Sequence, residues 1–269
     1  MKTQSILVLF ISLFIIACGP SREEIVKEKF ETALSHFSNK QYNNAKLMID
    51  SITEFYHDQI EYTTRAKDLL RTITIEEQKS NLAFLDSLLA DNETALEPLM
   101  KNFRESSDYG PKKILIHKRQ KPENSYNRIY LRAHLDLDGE FYISSRYTGE
   151  SNINHKQIKV YFSGNHALSE AVEIDGFQNR HFDDGGTKWE VVNYKDGKDN
   201  GVIDFIASNA DKSLKVQFIG KKHYYILMEK FDKEAIRDGY EISAVLKENK
   251  RITQEIKKVK KELKKLSAI

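Results

Sequence analysis

The chain has 269 residues, with 42 Lys or Arg against 40 Asp or Glu, four Pro, twelve Gly and one Cys. That length allows one or two folded units with a real core, and 40% hydrophobic with 30% charged residues fit neither a wholly disordered chain nor a polytopic membrane protein. One Cys excludes a disulfide framework, an iron–sulfur site or a cysteine-based structural zinc site within a single chain, and a net charge of +2 gives no global electrostatic case for nucleic acid.

Residues 6–17 form an apolar run interrupted by one Ser, and Cys18-Gly19-Pro20 follows it. Twelve helical residues rise about 18 Å, short of a hydrocarbon core of about 30 Å. The run therefore reads as the apolar region of a signal peptide spanning 1–17. Its end, Ile15-Ile16-Ala17-Cys18, resembles the lipobox of bacterial lipoproteins: branched apolar residues, a small residue, then cysteine. The resemblance implies cleavage before Cys18, thioether lipidation of Cys18 and acylation of the new amino terminus by a palmitate-type chain. The first partner is then a membrane, reached through Cys18. Gly19 rather than Asp follows the cysteine, which by resemblance to the enterobacterial sorting rule implies the outer membrane of the cell envelope. Ser21-Arg22-Glu23-Glu24 has the Ser and Glu spacing of a capping box, so a helix opens almost at once and the tether is short.

The segment 18–105 carries helical spacing. Val26, Phe30, Ala33 and Phe37 recur in steps of three and four, a polar turn at 38–41 follows, and Tyr42, Ala45, Ile49 and Ile52 resume the pattern. Tyr62, Ala66, Leu69 and Ile73 lead through Leu82, Leu85, Leu88 and Leu89 to about Phe103, predicting a unit of three to five helices. Ala33, Tyr42, Ala45, Ile49 and Ile52 resemble one tetratricopeptide-type hairpin, and Ala66 returns 33 residues after Ala33. Gln78 stands where Ala45 would recur, which leaves a plain helical bundle as the alternative.

A linker at 106–111 breaks the helical period, and over 112–230 the period becomes two. Ile129, Leu131, Ala133, Leu135 and Leu137 alternate with Arg128, Tyr130, Arg132, His134 and Asp136, and Asp138-Gly139 turns the chain into Phe141, Ile143, Ser145 and Tyr147. Further strands are predicted at 113–117, 158–162, 189–194, 214–218 and 224–228, with a short helix at 202–208 capped by Asn200. Seven or eight short strands predict an antiparallel sandwich or open barrel, and the whole chain an α+β fold.

From 232 to 269 one long basic amphipathic helix is predicted, with a kink at Gly239. Ile242, Val245, Asn249, Ile252, Ile256, Val259, Leu263 and Leu266 occupy successive a and d positions, and Glu241, Glu248, Glu255 and Glu262 fill the g positions. That stripe predicts either a homodimer seam, with Asn249 setting register, or a face packed on helices of the same chain. Residues 247–265 hold nine Lys or Arg against three Glu, so the helix is basic.

Chemistry is sparse. HExxH, GxSxG and Walker patterns are absent, the only Cys is assigned to lipid, and eight His are scattered without ligand spacing. Asp196-Gly197-Lys198-Asp199-Asn200-Gly201 resembles the start of an EF-hand loop, but Lys198 stands at the third position and Ala207 at the twelfth, so the segment reads as a loop and helix cap. Asp136 with Asp138, and Asp183 with Asp184, read as turn residues. No catalytic residue, metal ligand or cofactor site is predicted. The expected role is a non-catalytic adaptor or scaffold binding another envelope protein, with capture of a peptide or glycan on the β domain as the alternative and an atypical hydrolase as a third. A convergent pocket with two carboxylates, or with a carboxylate and a His, within about 3 to 6 Å would favour the hydrolase.

Overall fold

The computed structural model describes residues 20–107, 112–121, 123 and 125–268; the signal segment 1–17, Cys18 and linker residues 108–111 lie outside them. The fold is α+β, with five helices and two antiparallel sheets among the described residues. The chain divides into two compact units, one built from the N-terminal helices with the last turns of the C-terminal helix, the other from Ala83–Val259.

In the first unit, α1 (Arg22–Ser38) opens on the expected capping box. Ser21 Oγ accepts the Glu24 N–H at 3.2 Å, and Glu24 Oε2 accepts the Ser21 N–H at 2.7 Å. Helix α2 (Tyr42–Phe55) returns along it, and α3 (Ile60–Met100) is a single helix where the spacing allowed several, so the helical segment holds three. Ala33, Ala45 and Ala66 are fully buried among Val26, Ile49, Ile52 and Ile73. Side chains this small let helix backbones approach closely. Lys46 and Glu77 tie α2 to α3 at 2.6 Å, and Arg71 of α3 donates to the Leu266 carbonyl at 2.7 Å, near the end of the C-terminal helix α5 (Lys230–Ser267).

In the second unit, β1 (Phe103–Ser106), β2 (Ile114–His117), β3 (Tyr130–Asp136), β4 (Phe141–Gly149), β7 (Asn179–Asp184) and β8 (Thr187–Tyr194) make a six-stranded sheet in the order β1-β2-β3-β4-β8-β7. Strands β5 (Gln157–Phe162), β6 (Asn165–Leu168), β9 (Lys215–Ile219) and β10 (His223–Leu227) make a second, ordered β10-β9-β5-β6. Leu131, Ile143 and Val192 of the first sheet meet Ile158, Val160, Val216 and Phe218 of the second in one core. This is the inward half of the predicted alternation.

Three strands were not predicted: β1, at the end of the segment expected to be helical, and β6 and β7. Each lies at the edge of its sheet. An edge strand buries little of itself, so it carries no strict period of two; β6 has no fully buried residue and β7 only Asn179. The helix predicted at 202–208 forms as α4 (Val202–Ser208), but its cap is Gly201, at φ +81°, and not Asn200. Asn200 sits at φ +47° and spends its amide on the Leu168 carbonyl, leaving Asp199 to accept the Ile203 N–H.

From Ile242 to Val259 the heptad stripe of α5 packs within the chain. Ile242 is buried with Leu96, Phe103, Leu115 and Leu135. Asn249 Oδ1 accepts a hydrogen bond from Asn92 of α3 at 2.8 Å, and Ile252, Ile256 and Val259 are buried. Gly239 has a packing role: a Cβ there would lie 2.7 Å from the Phe141 ring. The Asp138-Gly139 turn is held from the same helix by Ser243, whose hydroxyl donates to the Gly139 carbonyl at 2.5 Å.

Candidate functional site

Two polar constellations occupy opposite faces of the six-stranded sheet. They differ in access to solvent, and that difference decides what each can do.

The inner one grows from the alternation of β8. Glu190, Val192 and Tyr194 point into the sandwich, so a carboxylate enters an apolar core. Glu190 Oε1 accepts the N–H groups of Ile153 and Asn154, each at 2.7 Å, and Oε2 accepts the N–H of His155 at 2.9 Å and its ring Nδ1 at 2.6 Å. His155 Nε2 shares a 2.7 Å hydrogen bond with Ser145 Oγ, which lies 3.3 Å from the Tyr194 hydroxyl. Carboxylate, imidazole and hydroxyl thus stand in the order of a hydrolytic triad. Glu190, His155 and Ser145 all have 0% exposure, so no substrate reaches the serine, and the array instead clamps the chain between β4 and β5. Burial pushes His155 below its usual range, against the pull of Glu190. For Glu190, burial works upward, but the hydrogen bonds from His155 and the amides outweigh it, and the carboxyl is lowered.

The outer face forms a hollow of about 640 Å³ across β2, β3, β4, β7 and β8. Antiparallel register builds it in rungs. Arg132, Ser144 and Asn193 lie side by side; in the next rung Arg146, Val191 and Arg180 do so, and on the other flank His134 pairs with Tyr142. The His134 and Tyr142 rings stack 4.5 Å apart, 1° from parallel, and Lys195 Nζ sits 4.3 Å from the Tyr142 centroid. Arg146 lies over the Trp189 ring at 5.6 Å, and its buried Nε has no hydrogen-bond partner among the described residues. The acidic members of the lining, Asp136, Glu140 and Asp196, gather at the hairpin end. Asp136 is occupied there by the N–H groups of Asp138 and Glu140, both at 2.9 Å. The floor is therefore cationic at one end.

The hollow contains one imidazole–hydroxyl pair, His134 Nε2 and Ser144 Oγ at 2.8 Å. Desolvation, then Arg132, Lys195 and Arg146, hold His134 well below its usual range. So weak a base takes a serine proton poorly, whereas guanidinium and ammonium groups are suited to holding an anion.

Of the residues singled out from the sequence, Cys18 lies outside the described residues and the α5 stripe contributes nothing to the hollow. Asp183 accepts the Gly186 N–H at 3.0 Å and pairs with Lys188, as a turn residue does. Arg132 and His134 were recognised as the polar side of a strand. Arg146, Arg180 and Lys195 were not, although the Asp138-Gly139 turn sets the register that lays Arg132 beside Ser144. Comparison of the chain with family models, curated proteins and solved structures returned no match.

Proposed function

We propose that this chain is a lipid-anchored protein of the bacterial envelope that captures a ligand, without chemistry, on the outer face of its six-stranded sheet. The anchoring half of this reading rests on the lipobox resemblance ending at Cys18. Among the described residues no helix is long and apolar enough to cross a membrane. The capture half rests on one observation: the triad-like array is sealed in the core, while the accessible hollow presents cations around a weakly basic imidazole. A hollow of this volume suits a small ligand or the end group of a larger one.

A second reading, docking of an envelope protein, is supported by β10. It is an edge strand, and Tyr225 and Leu227 on it are 56% and 60% exposed.

Two measurements test the proposal. Cys18→Ala abolishes the acyl mass and releases the chain from the membrane fraction; an unchanged membrane fraction removes the lipoprotein reading. A photoreactive phenylalanine analogue in place of Phe182, at the exposed rim of the hollow, crosslinks an envelope component in cells. Labelling no stronger than from the same analogue at the exposed Leu47 removes the capture reading.

A further inference from the structure

We propose that the ligand of the hollow carries a phosphate monoester, held by Arg132, Arg146, Arg180 and Lys195 with Ser144 and Asn193 between them. The proposal rests on the capture reading and adds the chemical class. Four cationic side chains lie within two rungs of Ser144 on one face of one sheet; same-face neighbours along a strand stand about 7 Å apart. Arg146, Arg180 and Lys195 form no ion pair among the described residues, although exposed carboxylates are plentiful elsewhere on the surface.

Arg146 adds a separate observation. A buried guanidinium N–H without an acceptor is costly, and this one stands in the lining of the hollow with its guanidinium already fixed over Trp189 and Tyr130. That Nε lies out of a ligand's reach, but the stacking holds the rest of the guanidinium in one orientation, so an oxyanion in the hollow meets its charge already ordered.

Charge count selects the class. One carboxylate offsets one of the three positive charges of Arg146, Arg180 and Lys195, whereas a phosphate monoester carries about −1.5 to −2 and three acceptor oxygens near neutral pH. Planar forks on two or three sides match those oxygens bidentately. The acidic hairpin end, with Glu140 and Asp196, leaves the rung of Ser144 and Asn193, between Lys195 on one side and Arg146 and Arg180 on the other, as the place for the phosphate. Such a group occurs on soluble phosphate esters and on lipid headgroups, and the binding chemistry is the same for both.

The test is calorimetric titration of the full chain in detergent at low salt with inorganic phosphate and with glycerol 3-phosphate. In parallel, the Cys18→Ala chain, which lacks the acyl anchor, is floated with phosphatidylcholine vesicles containing or lacking phosphatidic acid. The variants are Arg180→Gln and Lys195→Gln, which leave the packing of Arg146 on Trp189 untouched, together with the charge-preserving Arg180→Lys. Saturable binding is expected that weakens at least tenfold in each neutral variant, recovers in part in Arg180→Lys and falls steeply with salt. Binding in the soluble arm identifies a free ester, and variant-sensitive binding confined to phosphatidic acid vesicles identifies a headgroup; either supports the proposal. No saturable phosphate binding in any arm, or binding indifferent to both neutral variants, overturns it. Phe182-directed crosslinking in cells that persists alongside that negative result leaves capture standing and removes only the phosphate.

Discussion

Glu190→Gln separates the carboxylate's charge from its shape. Glutamine keeps the length of the side chain, and its amide oxygen can still accept the Ile153 and Asn154 N–H groups that Oε1 accepts at 2.7 Å. Its amide nitrogen replaces Oε2. Facing His155 Nδ1 it can donate, if the imidazole moves its proton to Nε2 and donates to Ser145. Facing the His155 backbone N–H, now bonded at 2.9 Å, it sets donor against donor. That amide is buried, so losing its acceptor costs about 1–3 kcal/mol. Replacing charge-assisted bonds by neutral ones on the remaining contacts adds about 1 kcal/mol. The expected loss is about 3 kcal/mol, and in a unit of this size each kcal/mol moves Tm by about 2–4 °C, giving a fall of about 6–12 °C. Calorimetry gives Tm, and urea titration gives the free energy together with an m value that shows whether the unfolded state has changed. The exposed Glu173→Gln is the control. A loss under about 0.5 kcal/mol for Glu190→Gln, or one equal to the control, refutes the clamp.

Acid lability follows from the imidazoles. Burial lowers His134 well below its usual range and lowers His155 and His117 as well. As pH falls below about 6.5 the unfolded chain takes up protons that the folded chain refuses, and stability drops by about 1.4 kcal/mol per pH unit for each such His. Glu190 adds a second phase, its contribution present above the ordinary carboxyl range and lost as pH falls through its lowered folded value. Tm should therefore hold above pH 7 and decline from pH 6.5 to 5, with a shallower slope in His134→Gln; a level profile over that window contradicts the burial of these rings. Asn249→Ala should cost about 1 kcal/mol through the loss of its bond to Asn92, with no change of mass by light scattering. A halved mass would instead mark the stripe as a seam between copies.

How much was legible depended on whether a residue's partner lay nearby in sequence. The capping box at Ser21, the Asp138-Gly139 hairpin and helix α4 are local, set by turn chemistry and periodicity within a few residues, and they formed at the predicted places. The central strands followed because both flanks of each are paired and one face is buried. Of the edge strands only β10 did, and with β7 unseen Arg180 had no place in any face. Glu190 gave no signal of burial at all: in the sequence it is one acid among forty, and nothing local reveals that its next turn of pleat faces the sandwich.

The sequence by itself determined the α+β class, the helical and strand segments, the basic C-terminal helix and the lipobox resemblance at Cys18, because each is written in contiguous residues. Only the tertiary structure decided that Arg132, Arg146, Arg180 and Lys195 share one hollow and that Glu190, His155 and Ser145 are sealed beneath it. Strand register and sheet order bring residues from five strands together, and those long-range pairings are fixed by the packing of the whole core rather than by any short stretch of chain.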